Sequence, residues 1–272
     1  RSRGLGDVYK RQLITSATNA HIKNIISLKE KSKVRKSTGL FTVEGIKMFL
    51  EVPRDELKEI YVSESFEKEN KDSLKGYSYN IVSDNIFKKI SDTVTPQGVL
   101  AIVKQKKYTV EDIIEKRNKN GSCIVVLDRL QDPGNLGTIV RTGEGAGISG
   151  IIMSSDCADI YNPKVIRSTM GSIFRVPFAI SHNLPEDIDK LKQRGITTYA
   201  AHLKGDLYHN GVFNRDVALL IGNEARGLSQ EVSQKAERLI KIPMEGKVES
   251  LNAAIATAIL MYEAKAVRDK IQ

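Results

Sequence analysis

From residue 123 onward, near-continuous apolar runs (CIVVL, GIIMSS, VPFAI, TTYAAHL, VALLIG and RLIKIP) alternate with segments of helical spacing. Strands apolar on both faces must be covered on both faces, so this alternation predicts a parallel sheet layered between helices. In such sheets ligands bind beyond the carboxyl ends of the strands. The loops after CIVVL, TTYAAHL, VALLIG and RLIKIP are therefore where function is to be sought.

A glycine fingerprint, GAGISG (145–150), lies in this region but in the wrong place. A dinucleotide cradle needs its glycines between a strand's end and a helix's start, where free amides meet the pyrophosphate. GAGISG instead follows the helical segment NLGTIVRTGEGA and precedes GIIMSS. Its glycines predict a helix stop and a tight turn. No Gly-Lys-Ser/Thr phosphate loop occurs either, which argues against nucleotide-triphosphate chemistry.

The strand-to-helix junction is LDRLQDPGNLG. Pro133-Gly134 predicts a turn and Asn135 an N-cap, aiming amides at the site. Arg141 lies one helical turn beyond Gly137 on the same face, and such an Arg either grips a phosphate bidentately or is a surface residue of an amphipathic helix. Two other loops carry signals. IGNEARGLS (221–229) puts Gly222-Asn223-Glu224 directly after an apolar strand, with a helix start near Ser229. IPMEGKVESLNAAIATAILMYEA (242–264) has a strand end, a loop, and Ser250-Leu251-Asn252 opening a helix rich in small residues.

Residues 13–107 mix short helices and strands in a smaller α/β unit, and 108–122 reads as a charged, part-helical linker ending in the turn signal Asn120-Gly121. KEKSKVRK (29–36) holds five basic residues and one acid. It offers enough charge for phosphate contacts, but on its own it reads as an exposed charged helix end. Residues 1–12 lack periodicity and resemble translated adapter sequence; without their four basic residues and one acid, the net charge of +9 becomes +6. Two cysteines and four scattered histidines give no metal-type spacing, and the sparse thiols suit a reducing, cytoplasmic compartment. No apolar run approaches the ~20 residues of a membrane span.

NLGTIVR, IGNEARGLS and IPMEGKVESLNAAIATAILMYE, in that order, resemble the three motifs of the SpoU (TrmH-type) RNA ribose 2'-O-methyltransferases of the SPOUT superfamily. The resemblance covers roughly 123–272, and Asn19, Lys23, Arg35 and VEG (43–45) resemble that family's substrate-binding domain. It implies a trefoil-knotted α/β domain, normally a homodimer, that binds S-adenosylmethionine in the knot and methylates structured RNA, with 23S ribosomal RNA expected over transfer RNA. The methyl donor's adenosine would rest on backbone around Gly222, Ile242 and Leu251, with Met244 near. Asn135, Arg141, Glu224, Ser250 and Asn252 match catalytic or site-shaping positions, with Glu224 orienting Arg141 or Asn135, or else capping the next helix. Lys23, Lys31, Lys33, Arg35 and Lys36 would meet RNA. The alternative is a non-catalytic RNA-binding protein, which need not keep these motifs together.

One departure from the family pattern is TGEGAG after Arg141. Each glycine costs a helix roughly 1 kcal/mol relative to alanine, so that helix is expected to end early. The final helix, about 250–271, has Leu251, Ile255, Ile259, Leu260, Tyr262 and Val267 spread too widely for one core-facing stripe, which predicts a second cover, such as another copy of the chain.

Overall fold

The computed structural model describes residues 13–116, 121–209, 212–248 and 250–270. The adapter-like 1–12 and Asn120 of the expected turn lie outside this set. The chain divides into two compact units, 1–105 and 106–272.

The first unit comprises α1 (Ala20–Glu30), α2 (Ser32–Thr38), β1 (Leu40–Glu44), α3 (Ile46–Glu51), β2 (Leu57–Ser63), α4 (Glu64–Glu69), β3 (Asn80–Val82), α5 (Asp84–Ile90) and β4 (Val99–Lys104). Its strands form one mixed sheet in the order β1-β4-β2-β3. The apolar face of α1 (Ile22, Ile25, Leu28) and that of α5 (Ile86, Phe87, Ile90) bury Tyr61, Leu100 and Ile102 of the sheet. Asn19 caps α1 by accepting from the His21 amide. Ser83 occupies the N-cap position of α5 without a side-chain cap bond, and Asp84 turns instead to Ser65, accepting from its hydroxyl and amide.

The second unit contains α6 (Val110–Glu115), β5 (Cys123–Leu127), α7 (Pro133–Ala146), β6 (Gly150–Ser154), α8 (Pro163–Thr169), β7 (Phe178–Ser181), α9 (Leu184–Gln193), β8 (Thr197–Leu207), β9 (Val217–Ile221), α10 (Gln230–Lys235), β10 (Arg238–Lys241) and α11 (Ala253–Lys270). Its six strands are all parallel, in the order β10-β8-β9-β5-β6-β7. Residues of α6, α9 and α10 pack on Ile124, Val126, Ile152 and Leu220 on one face, while α7, α8 and α11 pack together on the other. The part-helical linker expected at 108–122 is thus corrected: Val110, Ile113 and Ile114 of α6 are buried in this core.

Chain direction along the sheet reverses between β5 and β9, which are hydrogen-bonded neighbours. The crevice for a ligand in an open parallel sheet lies at such a reversal. The loops after β5 (128–132) and β9 (222–229) meet there.

Local details of α7 differ from expectation. Its N-cap is Asp132, whose carboxylate accepts from the Asn135 amide at 2.7 Å, and Pro133 and Gly134 open the first turn rather than forming a separate one. Asn135 therefore lies inside the helix, with its side chain free for other work. Nor does α7 end early. It runs to Ala146 and stops at Gly147 in the left-handed region (φ 64°), as the GAGISG turn predicts. Its glycines are paid for by packing: a Cβ on Gly143 would collide with Ile148, and one on Gly145 would lie 3.1 Å from the Tyr262 hydroxyl of α11.

Candidate active site

The β5 strand delivers Asp128 and Arg129 to the carboxyl edge of the sheet. Asp128 is buried, pairs with Arg129 Nε at 3.3 Å and accepts from the Ser229 amide at 2.6 Å. Arg129 adopts φ 56°, a conformation side-chain-bearing residues rarely adopt. Its carbonyl accepts from Asn223 Nδ2 at 2.9 Å.

Across the crevice, the loop after β9 is built by Asn223. Its Oδ1 accepts from the amides of Ala225 and Arg226, and its backbone exchanges two bonds with Gly227. Gly222 is required by close approach, because a Cβ there would collide with the backbone of Gly227 and Leu228. This folding points Glu224 back at α7. The Glu224 carboxylate accepts from the Gln131 amide at 3.3 Å, the Asp132 amide at 3.1 Å and Asn135 Nδ2 at 3.0 Å.

The third segment joins through one bond. Asn252 Oδ1 caps α11, accepting from the Ala254 and Ile255 amides, while its Nδ2 donates to Asn135 Oδ1 at 2.9 Å. Asn252, Asn135 and Glu224 thereby form a chain with one direction. The carboxylate can only accept, so Asn135 must present its NH2 to Glu224 and its oxygen to Asn252.

Glu224 is anionic in this setting. Partial burial raises its pKa, but the bonds from Asn135, the loop backbone, Asp132 and Gln131 outweigh that, and its carboxyl sits below the ordinary range. Its donors are two backbone amides and the Asn135 side chain, so it acts as a strut rather than a free base. It orients Asn135, not Arg141. It does not cap the following helix, since Ser229 caps α10.

Arg141 is exposed on α7, with no hydrogen-bond or ion-pair partner among the described residues. Gly137, one turn before it, serves helix packing: a Cβ there would collide with Ser168 and stand 2.8 Å from the Val165 carbonyl of α8. Ser250 is exposed and Leu251 half-buried beside Asn252, while Ile242 and Met244 are half-buried just beyond β10. Gly222 and Ile242 leave the same carboxyl edge of the sheet. No hydrogen bond ties Arg141 or Ser250 to the Asn-Glu-Asn chain among the described residues.

In the first unit Lys23, Lys31, Lys33 and Lys36 are exposed. Arg35 is a correction. It is 2% exposed, and its guanidinium donates to the Leu28 and Lys29 carbonyls, closing the end of α1. A buried guanidinium committed to backbone is not placed to meet a phosphate.

Asn223, Asp128 and Arg129 carry no site signal in the sequence. Asn223 stood beside Glu224 in GNE, but nothing in the sequence distinguishes a loop-organising amide from a solvated one. The pattern LDR gives no sign that Asp128 would be buried.

Fold and site define an α/β enzyme whose crevice lies at the reversal of a parallel sheet and is braced by an amide-carboxylate chain. Residues 122–262 match the model of the SpoU rRNA Methylase family, and residues 19–101 match the MRM3-like substrate binding domain. The chain belongs to the SpoU rRNA methylase family.

It is 32% identical over 252 residues to the 23S rRNA (guanosine(2553)-2'-O)-methyltransferase RlmP of Bacillus subtilis, covering 92% of this chain and 97% of that one. Among solved structures, the AdoMet-bound rRNA methyltransferase of Sinorhizobium meliloti superposes with a TM-score of 0.80 at 32% identity, covering 94% and 97% of the two chains. The SpoU methyltransferase AviRb of Streptomyces viridochromogenes, in complex with AdoMet, gives 0.80 at 26% identity, covering 93% and 99%.

Proposed function

We propose that this protein transfers a methyl group from S-adenosylmethionine to a ribose 2'-hydroxyl of 23S ribosomal RNA in the cytoplasm. The observation that carries the reading is the bond chain from Asn252 through Asn135 to Glu224, which gathers all three motif segments at one crevice. The RlmP relative supports the substrate class.

The residues at the carboxyl edge fit the methyl donor. Ile242, Met244 and Leu251 offer half-buried apolar side chains for a purine face, and the loop at Gly222, folded tightly on Gly227 and Leu228, lies at the same edge. When bound, S-adenosylmethionine supplies an electrophilic methyl on a positively charged sulfur. In the knotted fold of the family, these loops would wrap that ligand.

The ribose hydroxyl is a very weak acid, so the site must align it and stabilise its developing charge. A guanidinium is a poor general base, so Arg141 plays another part. It grips a substrate phosphate and favours the oxyanion, while that phosphate or a water takes the proton. Ser250 borders the same reacting edge. Glu224 keeps Asn135 in one amide orientation. Lys23, Lys31, Lys33 and Lys36 hold RNA through its backbone.

The active form is a homodimer. Ile255 and Tyr262 are half exposed on α11, where a second copy would cover them. Mapping 2'-O-methyl groups in total RNA of a strain lacking the gene tests the function: one ribosomal site should lose its methyl group. An unchanged map of ribosomal RNA would refute it.

A further inference from the structure

The first unit contains a cavity of about 240 Å³ at the start of β2, lined by Arg54, Leu57, Lys58, Ile60, Tyr77 and Ser78. Its chemistry is distinctive. The Arg54 guanidinium lies 4.6 Å over the Tyr77 ring, and that ring packs at a tilt against buried Phe49, 5.2 Å away. Leu57 and Ile60 give an apolar floor. Gly76, at φ 78°, turns the chain so that Tyr77 and Ser78 form a wall.

The polar groups here are uncommitted. Neither Arg54, Lys58 nor the Tyr77 hydroxyl has a hydrogen-bond or ion-pair partner among the described residues, apart from the Arg54–Tyr77 stack itself. Glu59, next to Lys58, turns to Tyr61 and His21 instead. The free ammonium of Lys58 beside a stacked guanidinium-phenol pair and an apolar floor suits a ligand that is flat and anionic.

We propose that this cavity takes one unpaired RNA nucleotide, its base stacked against the Arg54–Tyr77 pair and its phosphate held by Lys58. Single-stranded RNA is read this way, with splayed bases laid on aromatic rings or guanidinium planes. Paired bases cannot enter such a pocket. The inference rests on the RNA-directed function above and adds a single-stranded contact to it.

The test uses the full chain and a fluorescein-labelled single-stranded RNA octamer, with duplex RNA of equal length as competitor. Tyr77→Ala and Arg54→Ala should each weaken octamer binding on the order of tenfold, and Tyr77→Phe, which keeps the stack, should not. Lys58→Ala should lower the salt slope by about one. Affinity for S-adenosylmethionine should be unchanged throughout. Octamer binding that ignores all three alanine changes, or that duplex competes away equally well, overturns the proposal.

If Tyr77→Ala fails to fold, a 4-thiouridine octamer crosslinked to the unmutated protein decides. A crosslink on the peptide bearing Tyr77 supports the pocket, and its absence there overturns it. Methylation of ribosomal RNA by the unmutated protein is scored separately. Methylation with indifferent variants defeats only the pocket, whereas a working pocket on a protein that methylates no RNA defeats only the function.

Discussion

Asn252 donates from its side-chain amide to the side-chain oxygen of Asn135 across 2.9 Å, although 117 positions separate them. With the Asn135 amide committed to Glu224 at 3.0 Å, a loop after β9 and the start of α11 are both fixed to the first turn of α7. These two segments and the helix bearing Arg141 are therefore set by one continuous brace.

Glu224→Gln should damage this brace. A glutamine presents one oxygen where two accept, and places an NH2 against amide donors. Leaving such groups unpaired costs roughly 1–3 kcal/mol, so kcat should fall on the order of tenfold or more in steady-state assays. The pH dependence follows from the sign of the shift. The folded-state pKa of Glu224 lies below its ordinary value of 4.5, so its stabilisation is complete above that value and is lost as pH falls through the lower, folded one. Thermal unfolding of the wild type and of Glu224→Gln should therefore differ at neutral pH and converge in acid below 4.5.

Arg141→Ala should lower methyl transfer by about 10²–10³-fold, the effect of removing one oxyanion-stabilising donor. Calorimetry should find S-adenosylmethionine affinity near that of the wild type, because Arg141 lies apart from the loops assigned to the donor. Near-normal turnover of purified RNA would remove Arg141 from the chemistry.

The basic segment 29–36 should divide into two behaviours. Lys31→Ala with Lys33→Ala should weaken RNA binding and reduce its salt slope by about two, leaving the melting temperature unchanged. Arg35→Met should instead lower stability by roughly 1–3 kcal/mol, because the Leu28 and Lys29 carbonyls lose their donor. Denaturant titration and salt-dependent anisotropy separate the two.

Charged substitutions at Ile259 and Tyr262 should lower the mass measured by light scattering at micromolar concentration, and activity with it. Tyr262 is 50% exposed and Ile255 51%, whereas Leu260, Met261 and Ala264 are buried within the unit. A second copy of the chain would cover Ile255 and Tyr262. A fully active monomer would rule the dimer out.

Period and motif made much of this molecule legible in advance. All six apolar runs after residue 123 are strands of one parallel sheet, because continuous apolarity reports two-sided burial directly. Gly147 ends α7 where the glycine run predicts a stop. What failed depends on three dimensions. Asn135 looks like an N-cap in isolation, yet Asp132 holds that position and frees Asn135 for Glu224 and Asn252. Gly143 and Gly145 look like helix breakers until Ile148 and Tyr262 are seen against them. Arg35 reads as one of five like charges, and only folding shows that it turns inward. The strand order that places β9 beside β5, and so creates the crevice, has no signature in any single segment.

The most direct measurement is alkaline hydrolysis of unmodified 23S ribosomal RNA incubated with the purified protein and S-adenosylmethionine. A 2'-O-methyl group removes the nucleophile that cleaves the adjacent phosphodiester, so one position should become resistant to base. The same reaction with Arg141→Ala should leave that position cleavable. A methyl group incorporated on a base, with every phosphodiester still cut by alkali, would contradict the account.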